Sequence, residues 1–394
     1  MTHFESVTRG RNIKDSNIKS LRYFWKKWDK YLNKRQTIEN NKLNIIYVLQ
    51  DTGVGGGHRD VFEHINRLRR KGHNVKLYAL TGQPKWFKLN TKVKKFKSYA
   101  LLEKTLEKQN AIKIACWWET AQSVWKSSLN KGIPIYFVQD IETSYYQDKK
   151  IESRVLASYR KEFNYITISS WNKECLRKLD INASVISPGI DLETFNMKNN
   201  QNRRKDVILV IGRGLHLKNL QLTIDAWKKT IDKLELWMFG IDPSIYYRLK
   251  SMYPNAKIKY FFKPSDQEIV KLYNLATVFI QSSIHEGFCL PVLEAMACGC
   301  PVITTNADGN MDFCKDKINC LIVGKTDCME LSRKILYLLN NHTLQEKLRK
   351  EGLKTAEKYD WNIKINELEA YYKRIAKKQL YAVDIDKIFS SKEI

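Results

Sequence analysis

The sequence predicts an α/β chain made of two doubly wound parallel sheets. Three observations carry this reading. Short β-rich apolar runs alternate with helical patterns along most of the chain, which is the signature of parallel strands with helices on both faces. The runs fall into two series. A polar stretch without apolar periodicity, residues 197–205 (MKNNQNRRK), divides one series from the other. In sheets of this kind ligands sit beyond the carboxyl ends of the strands.

The first series opens at 43–49 (LNIIYVL), followed by a glycine cluster and a helix through Phe62, Ile65 and Leu68. It continues with strands at 75–80, 112–118, 133–138, 165–169 and 185–187. The second series has strands at 207–211, 234–239, 258–262, 278–281, 302–304 and 321–323, with helices at 220–231, 267–276 and 331–339 among them. The expected layout is an extension over 1–41, a first Rossmann-like domain over 42–200, a second over 201–361, and a terminal segment over 362–394. The extension differs from the rest. Ile18, Leu21, Trp25, Trp28 and Leu32 fall at helical spacing with Lys19, Arg22, Lys26, Lys30 and Lys34 on other faces. Residues 1–40 hold ten Lys/Arg against four Asp/Glu. A basic amphipathic helix over 13–35 is the expectation, either lying on an anionic membrane surface or docked on the first domain with its lysines solvated.

Composition narrows the class. Of 394 residues, 43% are hydrophobic and 11% aromatic, which excludes wholesale disorder. The net charge of +26 points to an anionic partner without choosing among nucleic acid, membrane and phosphorylated ligands. No recognised nucleic-acid motif appears and the cations are spread along the chain, so a nucleic-acid partner is not expected. No apolar run approaches the ~20 residues that span a bilayer, and the first residues carry no signal-peptide pattern. The eight cysteines form no CxxC pair. Reduced thiols and a cytoplasmic protein, peripheral at the inner face of the cell membrane, follow as expectations. No two-His or Asp-x-Asp pattern recommends a metal, and no cofactor is expected.

The most informative segment is 283–304, SIHEGFCLPVLEAMACGCPVIT. Glu286 falls in a loop after the 278–281 strand. Pro291 suits a first helical position and Gly299 a terminator, which puts Glu294 in the first turn of a helix. Gly287 lets a ligand approach the backbone. The N–H groups around Phe288, Cys289 and Leu290 open a helix and suit a phosphate. Two nearby carboxylates suit the hydroxyls of a sugar or ribose. Upstream, Arg213 and Lys218 lie five positions apart across a strand-to-helix turn. Both then face one site, where a guanidinium and an ammonium neutralise a diphosphate. Gly53, Gly55, Gly56 and Gly57 form a loop between the first strand and first helix, a weak signal by itself.

The 283–304 segment resembles the signature of the family-four glycosyltransferases, retaining enzymes of GT-B fold also called group 1 glycosyltransferases. That pattern is a loop Glu, then Gly-Phe-Gly-Leu-Pro, then a helix carrying a second Glu and Ala-Met-Ala-Cys-Gly-Pro-Val. Cys289 stands where the family has glycine and narrows the room beside the donor; Cys300 is inserted before Pro301, where the family varies. Ile211-Gly212-Arg213 with Lys218-Asn219, the 53–57 glycine loop, the Gly72-His73-Asn74-Val75 turn, Pro188-Gly189-Ile190-Asp191 with Phe195, and a terminal helix from Trp361 to Ile375 match further elements. Many members carry a histidine facing the donor sugar near the end of the 133–138 strand; here Gln139 or Asp140 takes that place. Val138-Gln139-Asp140 with Glu142 and Tyr146 looks like a branch containing bacterial rhamnosyltransferases.

The resemblance implies a glycosyltransferase that moves a sugar, with retention, from a UDP-, dTDP- or GDP-linked donor to a glycan or lipid-linked acceptor in cell-surface polysaccharide synthesis. It implies that Arg213 and Lys218 stabilise the departing diphosphate without a metal, that Glu286 holds the sugar, and that Glu294 holds the ribose. Gly287, Phe288, Cys289, Leu290, Gly55, Gly56, Gly57 and Lys263 complete the donor set, and Gln139 completes the catalytic one. The first domain takes the acceptor side. A GT-B-like epimerase acting on the nucleotide sugar itself is the rival within enzymes. His285 at most orients the Glu286 loop, and the other histidines carry no expected role.

Overall fold

The structure is a computed structural model that describes residues 23, 38–39, 42–129, 131–198, 203–214, 216–230 and 232–377. The basic amphipathic stretch at 13–35 lies outside the described residues apart from Tyr23, which is helical.

The first sheet comprises β1 (Ile38–Glu39), β2 (Lys42–Leu49), β3 (Asn74–Ala79), β4 (Val93–Lys95), β5 (Ile112–Ala115), β6 (Ile133–Val138), β7 (Asn164–Thr167) and β8 (Ala183–Val185). Their order is β4-β3-β2-β5-β6-β7-β8, with β1 paired antiparallel to β2 and the rest parallel. Helices α1 (Gly56–Arg70), α2 (Tyr99–Leu106), α3 (Trp118–Ser127), α4 (Lys149–Ser158) and α5 (Ser170–Arg177) connect the strands. The second sheet has the order β11-β10-β9-β12-β13-β14, all parallel. Its strands are β9 (Val207–Ile211), β10 (Glu235–Gly240), β11 (Ile258–Phe262), β12 (Val278–Gln281), β13 (Val302–Thr305) and β14 (Leu321–Val323). Around them lie α6 (Leu220–Lys228), α7 (Ser244–Met252), α8 (Asp266–Leu275), α9 (Leu290–Ala297), α10 (Cys328–Leu339) and α11 (His342–Glu357). The central strands are buried on both faces, which is why they read as unbroken apolar runs such as Ile45–Leu49 and Ile133–Val138 rather than as alternation.

Each chain direction reverses once. The first sheet grows from β2 through β3 to β4, then restarts at β5 on the other side of β2; the second does the same around β9 and β12. The crevice at such a reversal is where an open sheet of this type holds its ligand. These two crevices face each other.

Several boundaries differ from the sequence reading. The 112–118 run stops being strand at Ala115, and Trp118 opens α3; the Thr120 side chain bonds back to the Trp117 backbone and fixes that start. The 185–187 strand forms earlier, at Ala183–Val185. The 267–276 helix starts at Asp266, capped by Ser265 and Glu268. The lysine run around 92–97, which reads as a solvated face, is exposed as expected; it contains the edge strand β4, and exposed lysines on an edge discourage pairing with another chain.

The chain returns to the first sheet through α12 (Trp361–Lys377). Ile190 and Trp361 exchange backbone contacts, with Ile190 N–H donating to Tyr359 O at 2.7 Å and Trp361 N–H to Ile190 O at 3.1 Å. Further along, Tyr372 and Tyr47 hydroxyls meet at 2.9 Å inside the first core. Glu369 gathers Lys71, His73 and Lys373; burial opposes its charge, but these partners win and hold its carboxyl down to about 2. Among the described residues no helix is long and apolar enough to cross a membrane.

Candidate functional site

A cleft of about 710 Å³ lies between the two reversal points. The ends of β2 and β5 supply Gln50, Asp51, Cys116 and Trp117; the ends of β9 and β12 supply Ile211, Arg213, Gln281 and Ser282. The sheet topology therefore places the chemistry, and the loops only decorate it.

On the second sheet's side a short 3-10 turn, His216–Lys218, follows β9 and carries Lys218 into the cleft beside Arg213. Lys218 Nζ donates to both oxygens of Glu286, at 2.7 and 2.8 Å. The same carboxylate accepts from Gln281 Nε2 at 2.9 Å and Ser283 Oγ at 2.6 Å. Glu286 is buried, so these bonds replace the water it has lost and fix its direction. Lys218 and Glu286 are 68 positions apart, and their contact is not visible in the sequence. The loop after Glu286 turns sharply. Cys289 is the N-cap of α9 at φ +80°, left-handed backbone that glycine adopts without strain. This explains why glycine suits the position, and Cys289 adds a buried thiol there.

On the first sheet's side, α1 begins within the glycine cluster at Gly56. Gln139, at the end of β6, donates its Nε2 to Gly57 O at 3.1 Å. A Cβ on Gly57 would collide with the Gln139 amide oxygen, so a larger residue there would push the Gln139 side chain from its place. Gly287 serves a similar end across the domains: a Cβ there would stand 2.6 Å from Gln139 O.

His285 is the residue the sequence undervalues. Its Nε2 lies 2.8 Å from Asp140 Oδ1 in the first domain and its Nδ1 lies 2.7 Å from Asp308 Oδ2 in the second. Burial opposes a charged ring, but the two carboxylates win and raise its pKa to about 8. The imidazolium thus joins the two sides of the cleft. The signal was hidden because Asp140 is 145 positions away.

Two of the expected residues lie elsewhere. Glu294 does not fall in the first turn of its helix and does not line the cleft. Leu290, not Pro291, starts α9, so Glu294 sits one turn in and faces a second cavity of about 60 Å³ behind the cleft. There its Oε2 accepts from Tyr273 at 3.3 Å. Burial raises its carboxyl to about 7, against the pull of nearby Arg59. Arg59 itself bridges the domains, donating to both oxygens of Asp266 at 2.9 and 2.7 Å. Lys263 is exposed, with its Nζ 4.9 Å from the Phe262 ring, and is not among the residues lining the cleft. It follows β11, the edge strand two places from the β9/β12 reversal. Gly56, Gly57, Gln139, Arg213, Lys218, Glu286, Gly287, Phe288, Cys289 and Leu290 do line it, while Gly55 stands just outside as the cap of α1. Among the described residues no cluster of His, Cys, Asp and Glu could hold a metal ion.

With this arrangement in place, residues 192–355 match the family described as glycosyl transferases group 1. The chain is a glycosyltransferase. The glycosyltransferase is 24% identical over 340 residues to the N,N'-diacetylbacillosaminyl-diphospho-undecaprenol alpha-1,3-N-acetylgalactosaminyltransferase of Campylobacter jejuni, covering 80% of this chain and 89% of that one. It is 30% identical over 210 residues to the capsular polysaccharide biosynthesis glycosyltransferase CapM of Staphylococcus aureus, covering 48% of this chain. It spans about half of that relative, 54% of its length. In fold it is similar to Anabaena Alr3699/HepE solved with UDP and glucose, with a TM-score of 0.72 at 14% identity, covering 85% of this chain and all of that one. The fold is GT-B, two facing α/β domains.

Proposed function

We propose that this glycosyltransferase moves a sugar, with retention of configuration, from a nucleoside-diphosphate sugar to a glycan or lipid-linked glycan in cell-surface polysaccharide synthesis. The observation that carries the reading is the Arg213, Lys218 and Glu286 group on one wall of the cleft. Arg213 and Lys218 meet the diphosphate and stabilise the charge that builds on it as the sugar leaves, so a divalent ion is not required. Donor arrival redistributes Lys218 between Glu286 and phosphate. Glu286, held by Gln281 and Ser283, then presents its carboxylate to the sugar hydroxyls and to the positive charge at the anomeric carbon. The N–H groups at Cys289 and Leu290, which open α9, add a favourable end for phosphate. Glu294 takes the ribose hydroxyls, which requires the small pocket to open beside the Arg59–Asp266 bridge.

The relatives support this choice of substrates. One is named for a diphospho-undecaprenol acceptor, another for capsular polysaccharide, and a solved neighbour carries UDP and glucose. Those names do not agree on one sugar, and rhamnose stays a suggestion of the 138–146 pattern alone. Attachment to an anionic membrane through residues 13–35 belongs to the same reading. The test is turnover: UDP-, dTDP- and GDP-sugars are incubated with lipid extract in EDTA, and released nucleoside diphosphate is measured. Release from one donor class supports the reading. No release from any, or release only after Mg²⁺ is added, overturns the transfer or its metal independence respectively.

A further inference from the structure

The His285 ring is held from three sides. Its Nε2 lies 2.8 Å from Asp140 Oδ1 and its Nδ1 lies 2.7 Å from Asp308 Oδ2. Trp171, on α5 of the first domain, sets its ring 4.6 Å away. Each carboxylate is itself anchored. Asp140 also accepts from the Ile141 N–H and the Tyr145 hydroxyl, both at 2.8 Å, and Asp308 accepts from Lys325 Nζ at 3.2 Å. With three donors already on it, Asp140 serves the ring rather than a ligand.

The loop that carries His285 also carries Glu286. Its backbone is tied to the segment around Asp308: Glu286 N–H donates to Ala307 O at 3.1 Å, and Gly309 N–H donates to Glu286 O at 2.9 Å. A displacement of the ring is therefore passed to Glu286 along a short, bonded path. Asp140 and Trp171 belong to the first domain and Asp308 to the second, so the ring is fully bonded only when the domains are together.

We infer that Asp140 and His285 are positioning residues, which hold the Glu286 loop in its working place while the first domain is closed upon it. The inference rests on the transfer reading above and adds to it a pair that acts through Glu286. A neutral imidazole carries one N–H and bonds one of Asp140 and Asp308; the imidazolium bonds both. Loss of the proton thus frees one domain from the loop. Nucleotide binding is made by Arg213 and Lys218, which follow β9, and survives this loss. Transfer does not, because a misplacement of about 1 Å in a reacting group costs up to ~100-fold in rate.

The pair makes transfer depend on pH. Burial disfavours the charged ring, but Asp140 and then Asp308 outweigh it and raise its pKa to about 8. The charged clasp is present below that pH and lost as pH rises through it. Several other groups face the cluster: Tyr145 beside Asp140, Cys175 on α5, Lys325, Glu286, and Asp312, which accepts from the Ser170 N–H. Burial pushes the Tyr145 hydroxyl and the Cys175 thiol up, away from this range. Glu142, close enough to feel the Asp140 charge, is lifted by burial to about 8 as well, so a variant has to separate it from His285.

Turnover of the full chain with UDP-, dTDP- and GDP-sugars and lipid extract, followed from pH 6 to pH 9, tests this, with calorimetry of UDP, dTDP and GDP beside it. In wild type kcat should hold from pH 6 to pH 7 and fall as pH rises through about 8. His285→Gln should lower kcat at pH 7 by roughly tenfold, abolish that fall and leave nucleotide affinity unchanged. Asp140→Asn should also lower kcat, and should move the fall to lower pH, because the stronger of the ring's two carboxylate partners is gone. The double variant should be no slower than the slower single one. A flat wild-type profile overturns the inference without any variant. So does a fall that persists in His285→Gln, which would belong to Glu142, or a nucleotide affinity that drops as far as kcat. If His285→Gln fails to fold, Asp140→Asn and the wild-type profile decide. All of these leave the transfer reading standing. Absence of both bound nucleotide and turnover in wild type overturns that reading, and this inference with it.

Discussion

The cleft and the small cavity behind it each hold one of two glutamates that stand close in sequence, and the two environments treat a carboxyl group in opposite ways. Glu286 accepts four hydrogen bonds from Lys218, Gln281 and Ser283 at the mouth of a roomy site. Glu294 has Tyr273 for a partner in a cavity of about 60 Å³, and burial lifts it to about 7. A left-handed residue at Cys289 and a helix starting at Leu290 separate them. Proximity in sequence therefore did not mean a shared environment. One glutamate is set for electrostatics, while the other is held where its charge state is in play near neutral pH.

The largest expected effect comes from the first of these environments. Glu286→Gln keeps the shape but loses the charge that orients Lys218 and faces the sugar. Nucleoside diphosphate release from the donor should fall by roughly 10²–10³-fold. A loss smaller than tenfold would make the two glutamates equivalent and dissolve the contrast.

The second environment is probed by a pair of variants. Glu294→Ala should weaken nucleoside diphosphate binding by about 1.5–3 kcal/mol, through loss of a charged acceptor for the ribose. Arg59→Ala, which removes the bridge to Asp266, should leave that affinity intact while lowering the thermal midpoint. Calorimetry in which Glu294→Ala binds nucleotide as wild type does would take Glu294 out of the donor site and leave it a purely structural group.

His285 ties the walls together, and its effect depends on pH. Its pKa in the fold, about 8, stands above its ordinary 6.5. The stabilisation is thus fully present below pH ~6.5 and lost as pH rises through about 8. His285→Asn should be less stable than wild type at pH 6, and the gap between their midpoints should shrink by pH 9. A gap that stays constant over this range would mean the imidazolium contributes nothing to joining the domains.

The smallest change is Cys289→Gly. Glycine relieves a left-handed residue at a gain of about 1 kcal/mol, and losing the buried thiol side chain costs about the same. Denaturation midpoints should nearly coincide. A shift of several degrees in either direction would show that one of these two effects dominates at the turn between the glutamates.

Much of the architecture could be read directly. Strands buried on both faces leave unbroken apolar runs, and β6, β9, β11, β12 and β14 were expected at the bounds they have. The 283–304 segment was legible because its loop, proline and helix are local features. What escaped was long-range. His285 lies beside Glu286, yet its meaning depends on Asp140 in the other domain. The Lys218–Glu286 and Arg59–Asp266 contacts join residues that share no local pattern. The resemblance put Lys263 in the donor set, but strand order, which the sequence does not state, put the strand it follows at the sheet edge.

The central claim is that Arg213 and Lys218 form the diphosphate site without a metal. Calorimetric titration of UDP, dTDP and GDP into the full chain in EDTA tests it most directly. The account predicts that one nucleotide binds and that Arg213→Ala and Lys218→Ala each weaken it by about 1.5–3 kcal/mol. Nucleotide binding that needs Mg²⁺, or that survives both substitutions unchanged, would contradict it.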